Sequence, residues 1–191
     1  MMVIGITGGI GSGKSTLSEL LRKHGYPVYD TDKEARRLQN EDALLVQHIK
    51  SLFGENCYVE GKLNRPAVAA LVFNNPELLQ KLTALVHPAV KEDFINWQRN
   101  YNSEDLVFIE SAVLFEGGFN LLTDKVILVT ASEDIRIQRV IKRDKISREQ
   151  VLSRIKNQIP DTEKAPKSDL IINTDQGLPE DIMQSIVVWQ H

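Results

Sequence analysis

The stretch GITGGIGSGKST, Gly5 to Thr16, constrains this chain more than any other. Five glycines fall within the nine residues Gly5 to Gly13, and a lysine and two hydroxyls follow. Gly8, Gly13, Lys14 and Ser15 fit G-x-x-x-x-G-K-[ST]. The match lies between a short apolar, β-branched run, Val3 to Thr7, and a segment carrying Leu17, Leu20 and Leu21 at helical spacing. In a strand-turn-helix context of this kind, successive backbone N–H groups and the helix N-terminus form a concave positive nest. Phosphate oxygens enter it only where no β-carbon intrudes. The loop is therefore expected to bind a nucleoside triphosphate, with Lys14 reaching the β- and γ-phosphates and Ser15 offering its hydroxyl to Mg2+. A purely structural turn needs one or two glycines, not this series.

The rest of the chain alternates strand and helix signals. Pro27 to Tyr29 is a second strand candidate, and continuous apolar runs at Leu106 to Glu110, Val126 to Thr130 and Leu170 to Asn173 read as strands covered on both faces. Helices are expected at Ser15 to Lys23, Ser132 to Arg143, Ser147 to Asn157 and near Pro179 to Trp189. Between residues 41 and 100 the pattern is helical throughout, with segments near 42–53, 66–73, 76–86 and 88–100, breaks at Pro76 and Pro88, and no evident strand. Together these signals predict an α/β fold with a parallel sheet, into which 41–100 is inserted as helices. A length of 191 residues suits one domain with such an insertion. The single cysteine, Cys57, reads as a buried or incidental thiol.

A net charge of −3 gives no general attraction to nucleic acid or anionic lipid, so a polyanionic partner needs a local basic site. No apolar run is long enough to span a membrane, and no basic segment precedes the first apolar residues, so the chain reads as cytoplasmic. N-K-x-D and D-x-x-G, expected of a guanine-nucleotide switch, are both missing from the sequence. After the second strand comes VYDTDKEARR. With Thr31 as N-cap and Glu34 at N3, a capping box would place Asp32 at the first helical position, at the carboxyl end of a parallel strand. Asp32 there could accept the proton of an attacking hydroxyl, or Asp30 and Asp32 could simply begin a helix.

Taken together and in order, GITGGIGSGKST, VYDTDKEAR, EGKLNRPAVAALVF, LVHPAV, VLFEGG, RIQRVIKRDKISREQVLSRIKNQ and SDLIINT resemble the motifs of the dephospho-CoA kinase family. The resemblance covers nearly the whole chain. It implies a three-layer P-loop NTPase fold with a helical acceptor-binding insertion at 41–100 and a helical lid at 143–160. It also implies ATP and Mg2+ as cofactors, and phosphorylation of the ribose 3′-hydroxyl of dephospho-coenzyme A. On that pattern Asp32 matches the base, and Gly11, Ser12, Gly13, Lys14, Ser15 and Thr16 match the ATP loop. Arg139 and Arg143, one turn apart, clamp phosphates, with Arg148 as a further candidate and Arg139 counted with Lys14 and Asp32 in the chemistry. Arg65, His87 and Glu116 fall on the acceptor side with Asp32, His87 being read as a helix-entry residue fixed by Pro88. Three departures stand out. Ala112 occupies a place where proline is common, Lys145 a place where an acid is common, and Asn173 and Thr174 replace an aspartate and an asparagine. A P-loop kinase for another small acceptor, or a non-catalytic ATP-binding module, remains the alternative to this reading.

Overall fold

The computed structural model describes residues 1–73 and 75–190. In chain order the elements are β1 (Met2–Thr7), α1 (Lys14–Lys23), β2 (Val28–Asp30), α2 (Thr31–Glu41), α3 (Ala43–Phe53), β3 (Tyr58–Val59), β4 (Lys62–Leu63), α4 (Arg65–Phe73) and α5 (Pro76–Gln98). They continue with β5 (Leu106–Glu110), β6 (Lys125–Thr130), α6 (Glu133–Asp144), α7 (Arg148–Lys156), α8 (Asp161–Lys164), β7 (Leu170–Asn173) and α9 (Ile182–Val187). The chain divides into two compact units, one made of Met1–Asp30 and the chain from Tyr101 onward, the other of Thr31–Asn100.

The first unit is built on a five-stranded parallel sheet in the order β2-β5-β1-β6-β7. Ile4, Ile6, Phe108, Ile127, Val129 and Ile172 project from one face onto Leu17 and Leu21 of α1 and Ile182 and Ile186 of α9. Val107, Ile109 and Leu128, at the alternating positions, are buried as well. Both faces are thus covered, which is why these strands read as unbroken apolar runs. Each such side chain contributes roughly 1.5–3 kcal/mol of transfer free energy. After β1 the chain crosses to β2 at one edge and returns to β5 beside β1, then passes to β6 and β7 on the other side. The loop after β1 therefore lies at the point where strand order reverses, the usual ligand crevice of an open parallel sheet.

A smaller cluster of Ile137, Val140 and Val151 joins α6 to α7, with Ile10 of the loop after β1 packed against it. Lys145 closes α6 in the left-handed conformation at φ 56°. Ser147 and Gln150 then start α7 with a reciprocal capping box.

The second unit packs α2, α3, α4 and α5 around Leu38, Leu45, Ile49, Val68, Val86, Val90 and Phe94. Arg37 ties α2 to α5 with a 2.6 Å bond from Nη2 to Asp93. Cys57 is buried there, and burial pushes its thiol up, so it stays protonated and unreactive as the sequence suggested.

Three local expectations are corrected. The insertion contains a short antiparallel hairpin of β3 and β4, turned by Glu60 at φ 51° and Gly61 at φ 77°. Two positive φ values at the centre of a two-residue loop match the twist of paired strands, and strands this short leave no periodic signal. Pro88 does not end a helix, because α5 runs through it. Pro88 and the preceding-turn residue Ala84 both face solvent, where water can take the carbonyl that proline leaves without a donor. His87 is accordingly a mid-helix residue and not a helix-entry one. Finally, α2 starts at Thr31 itself. The Thr31 hydroxyl has no hydrogen-bond partner among the described residues and Glu34 pairs with Arg37, so the Thr31/Glu34 capping box does not form and Asp32 is the second residue of the helix.

Candidate active site

The loop between β1 and α1 is held from outside as much as from within. Gly13, at φ 101°, is the N-cap of α1 and supplies no side-chain cap, and the first turn of α1 carries no acid. The helix thus begins with donors that an anion can satisfy. Gly11, at φ 79°, is required for a second reason, since a Cβ there would lie 2.5 Å from the carbonyl oxygen of Arg136. Part of the glycine series therefore serves close packing of the loop on α6, and not only room for phosphate. Lys14 is buried and its ammonium donates to the carbonyls of Gly8 (2.9 Å) and Gly9 (3.1 Å), which keeps the charge against the inner wall of the loop.

Ser15 donates from Oγ to Oε1 of Glu110, 3.0 Å away at the end of β5. Glu110 is 6% exposed, and its other oxygen has no hydrogen-bond partner among the described residues. A buried carboxylate oxygen left in this state beside a P-loop hydroxyl fits a divalent cation, which takes oxygen ligands of this kind. Ser15 and Glu110 are the residues of this unit that could hold Mg2+.

A cavity of about 410 Å³ opens over the loop. Gly11, Gly13, Lys14, Ser15 and Thr16 form one wall, Arg139, Val140 and Arg143 of α6 a second, and Thr174, Gly177 and Leu178 a third. Arg139 donates from Nη1 to Gly11 O (3.3 Å) and Thr174 Oγ1 (2.9 Å), and from Nη2 to Thr174 O (2.6 Å). Thr174 Oγ1 in turn donates to Ser12 O at 2.7 Å. Thr174, just after β7, is therefore a buried bridge between Arg139 and the phosphate loop. Arg143 makes a two-pronged pair with Asp144, at 2.7 and 3.2 Å, and that carboxylate holds the guanidinium firmly charged. Arg148 lies on α7 and pairs with Asp134.

The first unit thus brings together the predicted Gly11, Gly13, Lys14, Ser15, Thr16, Arg139 and Arg143, with Ser12 buried behind them. Glu116 does not line this cavity. Its Oε1 accepts from the N–H of Ile159 (3.0 Å) and faces the buried ammonium of Lys164 at 3.4 Å. Asp32, Arg65 and His87 all belong to the second unit. Asp32 is exposed on the first turn of α2. Arg65 opens α4 and donates to the carbonyl of Arg36 at 2.9 Å. Burial, with the Arg36 charge beside it, lowers its hold on the proton. His87 is half-buried, and burial with the nearby Lys91 lowers its pKa below the ordinary value.

Sequence reasoning missed Glu110, Thr174, Arg136 and Gln158. For Glu110 a signal was available, since an acid closes an otherwise apolar strand in LVFIE. The other three act through backbone carbonyls and N–H groups distant in sequence, which no local pattern reveals.

A parallel sheet whose central strand runs into a G-x-x-x-x-G-K-S turn at the reversal of strand order, with a buried lysine and a serine–glutamate pair beneath it, defines a P-loop nucleotide-binding fold. The family described as CoaE, dephospho-CoA kinase, matches residues 2–180. The chain belongs to the dephospho-CoA kinase family. It is 44% identical over 158 residues to a dephospho-CoA kinase of Porphyromonas gingivalis, covering 83% of this chain and 78% of that one. The crystal structure of TT1252 from Thermus thermophilus is similar with a TM-score of 0.84 at 36% identity, over 98% of this chain and 96% of that one. A dephospho-CoA kinase from Campylobacter jejuni is similar with a TM-score of 0.68 at 29% identity, over 97% and 94%. Among the described residues no helix is long and apolar enough to cross a membrane.

Proposed function

We propose that this chain transfers the γ-phosphoryl group of ATP to the ribose 3′-hydroxyl of dephospho-coenzyme A, giving coenzyme A and ADP. The observation that carries the donor half is the cavity over the phosphate loop, where Lys14, Arg139 and Arg143 converge on one space with the N-terminus of α1. Phosphoryl transfer passes through a loose transition state with charge spread over the equatorial oxygens, so positioned cations and N–H donors supply most of the catalysis. In this reading Lys14, kept in place by the carbonyls of Gly8 and Gly9, meets β- and γ-phosphate oxygens. Arg139 and Arg143 bind phosphate from the α6 side, and Gly11 to Thr16 donate backbone N–H groups. Ser15 and Glu110 are the residues that would hold Mg2+, which when bound neutralises phosphate charge.

The acceptor half rests on the family match. Asp32 orients the ribose hydroxyl and takes its proton as the bond to phosphorus forms. Arg65, with Arg36 beside it, offers positive charge to the acceptor's phosphates, and His87 belongs to the same acceptor-binding insertion. The segment 143–160 is the lid, and its closure would exclude water as a competing acceptor. We place the reaction in the cytoplasm, with a small-molecule substrate and neither nucleic acid nor membrane as partner.

The test is ADP release from Mg-ATP with a panel of acceptors: dephospho-coenzyme A, shikimate, a nucleoside monophosphate, and water alone. Release that depends on dephospho-coenzyme A is the expected result. Equal or greater release with another acceptor would move the chain to a different substrate.

A further inference from the structure

Ile10, in the middle of the glycine series, is gripped on all sides by residues more than a hundred positions away. Its N–H donates to Oε1 of Gln158 at 2.9 Å, and its carbonyl accepts from Nε of Arg136 at 3.0 Å. Its side chain packs on the Ile137, Val140 and Val151 cluster between α6 and α7. Arg136 is itself fixed, with Nη1 3.7 Å from Oδ2 of Asp161, the oxygen that accepts from Thr130 Oγ1 at 2.8 Å. Gln158 and Asp161 lie three residues apart at the root of the 143–160 segment. One short stretch of chain therefore reaches the phosphate loop both directly and through Arg136.

The planar trans peptide turns these two contacts into control of the loop's interior, because the C=O and the N–H of one peptide point to opposite sides. Gln158 draws the Ile10 N–H outward, so the Gly9 carbonyl of the same peptide points inward. That carbonyl accepts from Lys14 Nζ at 3.1 Å and from Ser12 N at 3.2 Å. Arg136 draws the Ile10 carbonyl outward, so the N–H of Gly11 turns to the side of the cavity that Gly11 lines.

We propose that Arg136 and Gln158 are positioning residues for phosphoryl transfer: through the two peptide groups of Ile10, Gln158 sets the carbonyl that aims Lys14, and Arg136 sets the Gly11 N–H that meets phosphate. This rests on the reading of the loop as an ATP site. It also explains Gly9, whose φ is not in the left-handed region. A Cβ on Gly9 would lie 2.0 Å from Nη2 and 2.4 Å from Cζ of Arg136, so glycine is required there by the guanidinium and not by the backbone.

The test uses the full chain and Mg-ATP, with Gln158→Leu, Arg136→Ala, Gly9→Ala and the double variant Gly9→Ala/Arg136→Ala. Each single variant is expected to raise KM for ATP roughly tenfold, the scale of one hydrogen bond to or through a charged group. KM for the acceptor is expected to stay as in wild type. Gly9→Ala removes no hydrogen-bonding group and displaces only the end of a flexible side chain, so it is expected to fold. In the Arg136→Ala background the Gly9 change is expected to add nothing. A lowered Tm with wild-type KM for ATP in all three single variants would overturn the proposal, and so would an additive loss in the double variant. Failure of the wild-type chain itself to bind Mg-ATP would overturn the underlying reading of the site instead, a result the same titration distinguishes.

Discussion

Ser15 Oγ and Glu110 Oε1 meet at 3.0 Å, joining the first turn of α1 to the last residue of β5, while the second oxygen of Glu110 is buried with no hydrogen-bond partner among the described residues. The pair places a hydroxyl and a carboxylate together at the rim of the phosphate loop. Glu110→Gln keeps the shape and removes the charge. Turnover is expected to fall about 10²-fold, the scale of losing one group that organises transition-state charge. The Mg2+ concentration for half-maximal rate should rise, while binding of ATP without the metal stays close to wild type. A Mg2+ titration of the initial rate at fixed ATP checks this.

Asp32 belongs to the second unit and is exposed near the start of α2. Asp32→Ala is expected to cut kcat with dephospho-coenzyme A by roughly 10²- to 10⁴-fold, the usual range for a general base. ATP affinity, measured by calorimetry without acceptor, should be nearly unchanged. Unimpaired turnover in this variant would remove Asp32 from the chemistry.

Lys164 is fully buried, and its ammonium lies 3.4 Å from Glu116 with no hydrogen bond among the described residues. Breaking such a pair from the acidic side strands a charge in the interior, whereas removing the lysine leaves a Glu116 that is 22% exposed and still accepts from the Ile159 N–H. Glu116→Gln is expected to lower stability by about 3–5 kcal/mol. Lys164→Met is expected to change it by less than about 1 kcal/mol, because a flexible apolar chain fills similar space. Urea unfolding midpoints of the two variants should differ in that order.

His87 is half-buried in α5, where burial and then the charge of Lys91 disfavour its protonated form. As pH falls below its ordinary value of 6.5, the unfolded chain takes up the proton first. The histidine's contribution to stability is thus full above that value and is lost as pH drops through the lowered folded value. His87→Gln is expected to flatten the acid side of a Tm-against-pH curve, with no effect above about pH 7. A curve parallel to wild type would show that His87 does not report its burial.

The parallel sheet, the loop after β1 and the helical character of the insertion were all legible in the sequence, because each rests on a local pattern. Apolar runs mark strands covered on both faces, and the glycine series has few other uses. The β3–β4 hairpin was not legible, since two-residue strands carry no period, although the Glu60–Gly61 pair has the composition of a tight turn. The helix through Pro88 shows tertiary packing of Val86, Val90 and Phe94 prevailing over a local breaker on the solvent side. The capping expected at Thr31 failed because Glu34 found a stronger partner in Arg37. Within the site, Lys14 and Ser15 were readable from their motif. The shape of their loop depends on Arg136, Arg139, Gln158 and Thr174, whose contacts span most of the chain and have no spacing rule.

Acceptor and position are read most directly from the product formed from Mg-ATP and dephospho-coenzyme A, identified by phosphorus NMR and mass beside a parallel reaction with the 3′-deoxy analogue. One phosphoryl group on the ribose 3′-oxygen per ADP released, and no acceptor phosphorylation with the analogue, is the expected result. A phosphoryl group at any other position, or transfer to the 3′-deoxy analogue, would contradict it.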